Sequence, residues 1–339
     1  MKRPRVRRYA LYQMKLLDQF VRLNVIAGLL ILGACSDSTS RDTTGTAQVS
    51  MPGTLVSADW LKQHIDDPDL VVLDATVVIE PDAAGNLRSI NGRANYESGH
   101  IPTAGFADLM GDLSDPDSPL QFGMPTPEQF AAAMGKLGVG DDSRVVLYDT
   151  SGSSWAARVW WMLRWIGFDR AALLDGGLTA WTAAGGSLST QPTNRPLRVL
   201  TVNLRPELIA GQEEVRASID NDAIRLIDAL PAIHYRGEWT MYDQPGHIPG
   251  AINVPVTSLF DEAGRFRPVD ELSVLFGEDK DRRTITYCGG GIAASADAFA
   301  LTRLGFKDVA IYAASLEEWT ANPENPMEID LDDFGRTDK

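Results

Sequence analysis

The sequence predicts an α/β protein of two similar domains, each a mostly parallel sheet flanked by helices. Three observations carry that prediction. Short β-branched apolar runs alternate with longer amphipathic runs, the pattern of strands joined by helical crossovers. The landmarks of the first half recur in the same order in the second. A stretch rich in Gly, Ser, Thr and Pro, "GGSLSTQPTNRP" at 185–196, separates the halves.

At 339 residues and 44% hydrophobic, the chain is long enough for two ordinary domains with normal cores. In the first half, "LVVLDA" (70–75) reads as a buried strand and "YESGHIPTAGFADL" (96–109) as a connector around His100. "TPEQFAAAMGKLG" (126–138) reads as a helix with Thr126 as N-cap, Pro127 in the first turn and Gly138 closing it. "RVVLYDTSGSSWAARVWWMLRWIGF" (144–168) opens as a strand, and Trp155, Trp160, Trp161 and Trp165 then form a helical aromatic cluster suited to core or domain-interface packing. "ALLDGGLTAW" (172–181) follows.

The second half repeats these pieces as "IRLIDA" (224–229), "QPGHIPGAINVP" (244–255), "RTITYCGGGIAASADAFALTRLGF" (283–306) and "AIYAASLEEW" (310–319). Asp74 to His100 is 26 residues and Asp228 to His247 is 19; 49 residues then lead to Asp149 and 41 to Cys288; 32 lead on to Trp181 and 31 to Trp319. Loops differ in length while elements do not, as a duplicated domain requires. The domains are placed at 51–185 and 206–322, with a linker at 186–205 and a solvated acidic tail at 323–339.

The charge is uneven. Residues 1–34 hold seven of the 31 basic residues and one of the 46 acidic ones, so the remainder carries −21 against −15 for the whole. An acidic body excludes a nucleic-acid surface, which needs clustered Lys and Arg. The basic head leads into the apolar run "NVIAGLLILGAC" (24–35), the order of a secretory signal. The run is short for a bilayer span of ~20 apolar residues. Leu32-Gly33-Ala34-Cys35 resembles a bacterial lipobox, so 1–34 is expected to be a signal peptide, with Met14 an alternative start. Cys35 is then the lipidated residue that anchors the protein to the membrane of the cell envelope, facing the periplasm. The alternative is an uncleaved anchor with Cys35 a bystander. Residues 36–50 are polar and small and read, with Cys35, as a flexible tether.

The chain has two cysteines. If Cys35 is lipidated, Cys288 is the lone mature thiol, with no partner for an internal disulfide or a zinc site. Cys288 follows a strand and precedes a helix starting near Ile292 or Ala293. Ligands bind there in open α/β sheets, and unpaired N–H groups at the helix start favour an anion. A thiolate there is expected to have a lowered pKa. Gly289, Gly290 and Gly291 let the loop curl so that its N–H groups converge as an anion nest. The competing reading is a tight turn around an inert buried cysteine. Against it, the equivalent turn of the first half carries Asp149 and no glycine triplet, so the fold does not need the thiol.

The paired "GHIP-x-A" segments at His100 and His247, "ARVWWMLRWIGF", "LDGGLTAW" and the cysteine loop together make the chain resemble the tandem rhodanese-domain family of thiosulfate and 3-mercaptopyruvate sulfurtransferases, over 51–322. The resemblance implies two rhodanese-like domains, an inactive first and a catalytic second. It implies a Cys288 persulfide taken from a small sulfur donor and passed to a thiophilic acceptor such as cyanide, a thiol or a protein. The loop from Gly289 to Gly291, with Ile292 and Ala293, is the implied substrate cradle, and no cofactor or metal is needed. A phosphatase loop of the C-x5-R kind is excluded, since Ala294 stands at the arginine position.

Departures concern donor recognition. The loop lacks the basic residues that go with thiosulfate, so it leans towards the mercaptopyruvate class, yet Gly290 replaces that class's serine and Ala293 a frequent hydroxyl. In "DALPAIHYRG" (228–237), Leu230 and His234 stand where the family has arginines. Arg236 is the candidate substitute, provided it turns inward; otherwise it is a solvated charge. His234 offers a pH-dependent charge. His100 and His247 read as structural, bonded to local backbone, although the first-domain histidine of mercaptopyruvate enzymes implies a cleft-facing role for His100. Ala313-Ala314 replaces Asp-Gly in a packing turn. A non-turnover sulfur carrier or binding module is the alternative function that the lost arginines favour.

Overall fold

A computed structural model describes residues 51–82 and 87–330. The signal, Cys35 and the tether expected at 1–50 lie outside the described residues. Strands are β1 Leu55–Val56, β2 Leu70–Asp74, β3 Val77–Pro81, β4 Leu87–Asn91, β5 Gly105–Phe106, β6 Arg144–Tyr148, β7 Ala171–Leu174, β8 Ile209–Ala210, β9 Ile224–Asp228, β10 Ile252–Asn253, β11 Arg283–Tyr287 and β12 Val309–Tyr312. The helices that matter below are α3 Pro127–Lys136, α4 Ser154–Trp165, α9 Ile292–Arg303 and α10 Ser315–Trp319, counted from α1 Ala58–His64. β3 and β4 pair only with each other.

The duplication is complete at the level of topology. One sheet runs β1-β7-β6-β2-β5, the other β8-β12-β11-β9-β10, and every strand pair in both is parallel. Both are flanked by helices, as the alternation of apolar runs predicts. The strands alternate faces residue by residue. Val71 and Leu73 enter one buried cluster, while Leu70 and Val72 enter another. The first of these clusters also takes Ile227, Phe299 and Ile311 from the second domain, so the inward faces of both sheets share a core.

Local signals hold where they are strong. Thr126 caps α3 through a reciprocal capping box with Gln129. Gly138 and Gly305 close α3 and α9 at φ +86° each. The tetra-tryptophan helix α4 is buried and packs on α9, with Trp160 edge-on to Phe299 at 4.7 Å between ring centres.

Two segments are less free than their composition suggests. The linker lies along the first domain: Ser189 bridges to His100, and the Arg198, Asn203 and Arg205 N–H groups donate to Gly135, Ile166 and Trp165 carbonyls. The acidic end, expected to be a solvated tail from 323, is tied down as far as Glu328, which exchanges both backbone hydrogen bonds with His247 at 2.8 and 2.9 Å. Trp319 donates its indole N–H to the Pro326 carbonyl. Residues 331–339 lie outside the described residues.

Candidate active site

β11 ends at Tyr287 and α9 begins at Ile292, leaving Cys288 to Gly291 as the crossover loop. The loop is anchored by the turn that opens α10. Ser315 Oγ accepts from the Cys288 N–H at 3.0 Å and donates to the Tyr312 carbonyl at 2.7 Å. The Leu316 and Glu317 N–H groups donate to the Cys288 and Gly289 carbonyls at 3.1 and 2.9 Å. The Ala313-Ala314 turn, expected from sequence to alter packing more than chemistry, leads directly into the three residues that hold the backbone of the cysteine loop.

The backbone N–H groups of Ala294, Gly290 and Gly291 act on the Cys288 sulfur in the direction that lowers its pKa. The glycines serve different ends. Only Gly291 has a left-handed backbone, φ +81°, and a Cβ there would meet the Ala313 carbonyl oxygen at 2.4 Å and Arg158 Nη1 at 2.9 Å. At Gly289 a Cβ would lie 1.6 Å from the Tyr242 hydroxyl. Gly290 is looser, with Glu317 Oε2 at 3.3 Å. Curling of all three, as expected from their composition, is thus confined to one; close approach explains Gly289. Ile292 and Ala293 are half-buried in the first turn of α9.

The sister loop explains what the cradle is for. Asp149 occupies the position of Cys288, and its carboxylate accepts from the Ser151, Ser153, Trp155 and Ala156 N–H groups at 2.8 to 3.0 Å. The same nest of backbone donors is filled by a fixed carboxylate in one domain and by a sulfur in the other.

The thiol is buried at 3% exposure. Burial pushes its pKa above the ordinary cysteine value, and the nearby Asp228 carboxyl adds to this, against the pull of the Ala294, Gly290 and Gly291 N–H groups. The lowered value expected from the helix N-terminus is corrected: desolvation outweighs the cradle. Asp228 is itself raised to about 7 by burial, with the Leu230 N–H on its Oδ1 opposing. Burial also raises Tyr242 and Glu317 above their usual ranges.

The expected donor-binding groups each have local partners. Arg236 pairs with Glu238, two residues along its own chain. His234 is buried edge-on against Trp239, and burial lowers its pKa to about 4, so it is neutral and the expected pH-dependent charge is missing. His100 stacks on Tyr96 with both ring nitrogens facing the carbonyls of Tyr96 and Gln191. His247 likewise stacks on Tyr235 with Nδ1 at its carbonyl, while Nε2 faces the Glu328 carboxylate at 3.7 Å. A cleft of about 230 Å³ lies beside the loop, lined by Phe122, Ala313 and Glu317 among others, and does not reach Cys288.

Sequence reasoning missed Arg158, Tyr242, Ser315 and Glu317. Arg158 alone left a signal, a charged residue on the apolar side of "ARVWWMLRWIGF".

The rhodanese-like domain family matches residues 57–184 and 211–322. The chain is 36% identical over 282 residues to the 3-mercaptopyruvate sulfurtransferase of Escherichia coli K12, covering 80% of this chain and 97% of that protein. It is 32% identical to the mitochondrial thiosulfate/3-mercaptopyruvate sulfurtransferase 1 of Arabidopsis thaliana, covering 84% and 80%. The crystal structure of SseA from Escherichia coli, a 3-mercaptopyruvate sulfotransferase by its description, superposes with TM-score 0.69 at 35% identity over 78% of this chain and 98% of that one. The chain therefore belongs to the tandem rhodanese-domain family of thiosulfate/3-mercaptopyruvate sulfurtransferases and is a sulfurtransferase of that type.

Proposed function

We propose that the protein moves sulfane sulfur from thiosulfate or 3-mercaptopyruvate to a thiophilic acceptor through a persulfide on Cys288. The observation that carries this reading is the nest of backbone N–H groups around the Cys288 sulfur, in the place where the sister loop holds a carboxylate. The thiolate attacks the outer sulfur of the donor. From thiosulfate the S–S electron pair leaves with sulfite. From 3-mercaptopyruvate the C–S pair leaves with the enolate of pyruvate, which takes up the proton of the donor thiol. Cyanide then attacks the terminal sulfur of the persulfide, and the S–S pair returns to Cys288 as thiolate. The cradle N–H groups solvate the anion at each stage, which is electrostatic preorganisation needing no cofactor.

The test is thiocyanate formation from cyanide with each donor, with Cys288→Ser as blank. Turnover that disappears in the variant is the expected outcome; turnover that persists removes Cys288 from the reaction. A second reading is favoured by Arg236 being paired with Glu238 and His234 being neutral. In it the protein carries sulfur without passing it to small acceptors, and mass spectrometry would find a stable persulfide without thiocyanate.

Residues 1–50 extend the proposal to location: a lipid on Cys35 tethers the enzyme in the envelope. Metabolic labelling with a fatty acid should mark the wild type and not Cys35→Ser.

A further inference from the structure

Arg158 lies on α4 of the domain that has no thiol, yet its guanidinium lies against the cysteine loop of the other domain, at Gly291. It is buried at 1% exposure. Nη2 donates to the Phe122 carbonyl at 3.1 Å. Nη1 is buried and has no hydrogen-bond partner among the described residues. That nitrogen is the one lying 2.9 Å from where a Gly291 side chain would begin, against the cysteine loop. Gly291 is one of the three residues whose N–H groups pull the Cys288 pKa down.

A buried cation with an unused donor is costly unless an anion faces it. The charged and titratable groups around the loop are Asp228 and Tyr287 at the ends of β9 and β11, Asp297 on α9, whose carboxyl burial raises well above the usual range, Tyr242 from the connector, Glu317 on α10, Cys288 and Arg158. Arg158 is the one cation among them. Burial lowers its pKa to about 10, which leaves it charged at neutral pH, and the Cys288 sulfur works to raise it again.

We propose that Arg158 is a positioning residue that supplies the positive charge for the sulfur anion of Cys288, so that the thiol-less domain completes the site of its sister. The proposal rests on Cys288 working as a sulfur anion, as in the reading above. It accounts for two features together: the unused Nη1 and the packing of α4 on α9. Aligned on the closing glycines Gly167 and Gly305, the position of α9 matching Arg158 is Ala296, so the contribution runs in one direction.

The test is a thiolate titration of the full-length protein. Ultraviolet thiolate absorbance is followed as pH is raised, with Cys288→Ser subtracted so that Cys35 and the tyrosines cancel. R158M removes the charge at similar length, and R158K keeps it. The Cys288 midpoint is expected to rise by about one unit or more in R158M, a ~10-fold loss of thiolate at a fixed pH below the midpoint. In R158K it is expected to stay within about half a unit. An unmoved midpoint in R158M overturns the proposal. So does an equal rise in both variants, which is what a packing role predicts. Should R158M not fold, R158K decides alone: a held midpoint supports the charge, and a rise of about a unit overturns it. No sulfur donor enters the titration, so a failed transfer assay and a failed titration remain separate results.

Discussion

Three glycines in a row are chemically identical, and their neighbours make them different. Gly289 is required by the Tyr242 hydroxyl, which stands where its Cβ would be, and Gly291 by its φ of +81° and the Ala313 carbonyl. Replacing Gly289 by Ala forces the hydroxyl or the loop to move, an overpacking cost of about 1–3 kcal/mol. Removing the obstacle with Y242F should return a large part of that in the double variant, since residues in contact couple strongly. Denaturant unfolding of both single variants and the double one measures the coupling. Strict additivity would show that the clash is absorbed elsewhere.

At the level of elements, the turn before α10 decides where the cysteine sits. Ser315 has φ +52°, the backbone that Gly177 takes at +54° in the first domain. A non-glycine residue there is strained by about 1–3 kcal/mol, held by the two hydrogen bonds of its hydroxyl. S315A keeps the strain and loses both bonds; S315G loses the bonds and relieves the strain. S315G is therefore expected to be more stable than S315A by about 1 kcal/mol, the reverse of the usual helix preference. Equal unfolding midpoints would show that no strain resides there.

The start of β6 offers a pH-dependent element. Arg144, 3% exposed, holds Asp69 and Asp67 at 2.7 and 2.8 Å. Its hydrogen bonds depress both carboxyl pKa values. A depressed carboxylate contributes stability above the ordinary range near ~4 and loses it as pH falls through the folded value. Asp69→Asn should cost roughly 2 kcal/mol at neutral pH, between exposed and buried pairs, and the difference should shrink in acid. A pH-independent difference would assign the loss to packing.

Over the whole molecule, the two sheets share one core through α4 and α9, with Trp160 on Phe299 at its centre. Domains joined this way unfold together, so thermal unfolding should show one transition. Phe299→Ala should lower it as a unit, by about 3–5 kcal/mol. Two resolved transitions would separate the domains energetically. The arrangement also gives the duplicated, thiol-less domain work to do, since Arg158 reaches the Cys288 loop only while α4 is docked on α9.

The sequence by itself determined the duplication, the strand and helix order, the caps of α3 and the crossover that bears Cys288. These are local or periodic properties: apolar alternation, capping residues and turn glycines act within a few positions, and the repeat doubles each signal. Even the nest is legible, because a strand-to-helix turn exposes N–H groups wherever it occurs. The partners of the loop were decided by tertiary packing. Tyr242, Ser315, Glu317 and Arg158 come from separate elements and meet only when the sheets and helices close around the sulfur. The direction of the thiol pKa belongs to that level too. A helix start favours the thiolate, but the depth of burial is set by everything packed above it, and here desolvation prevails. Arg236 and His234 show the same limit, since a residue type at an expected site or two positions beyond it carries no information about whether its side chain turns to a glutamate, to a tryptophan or to the cysteine.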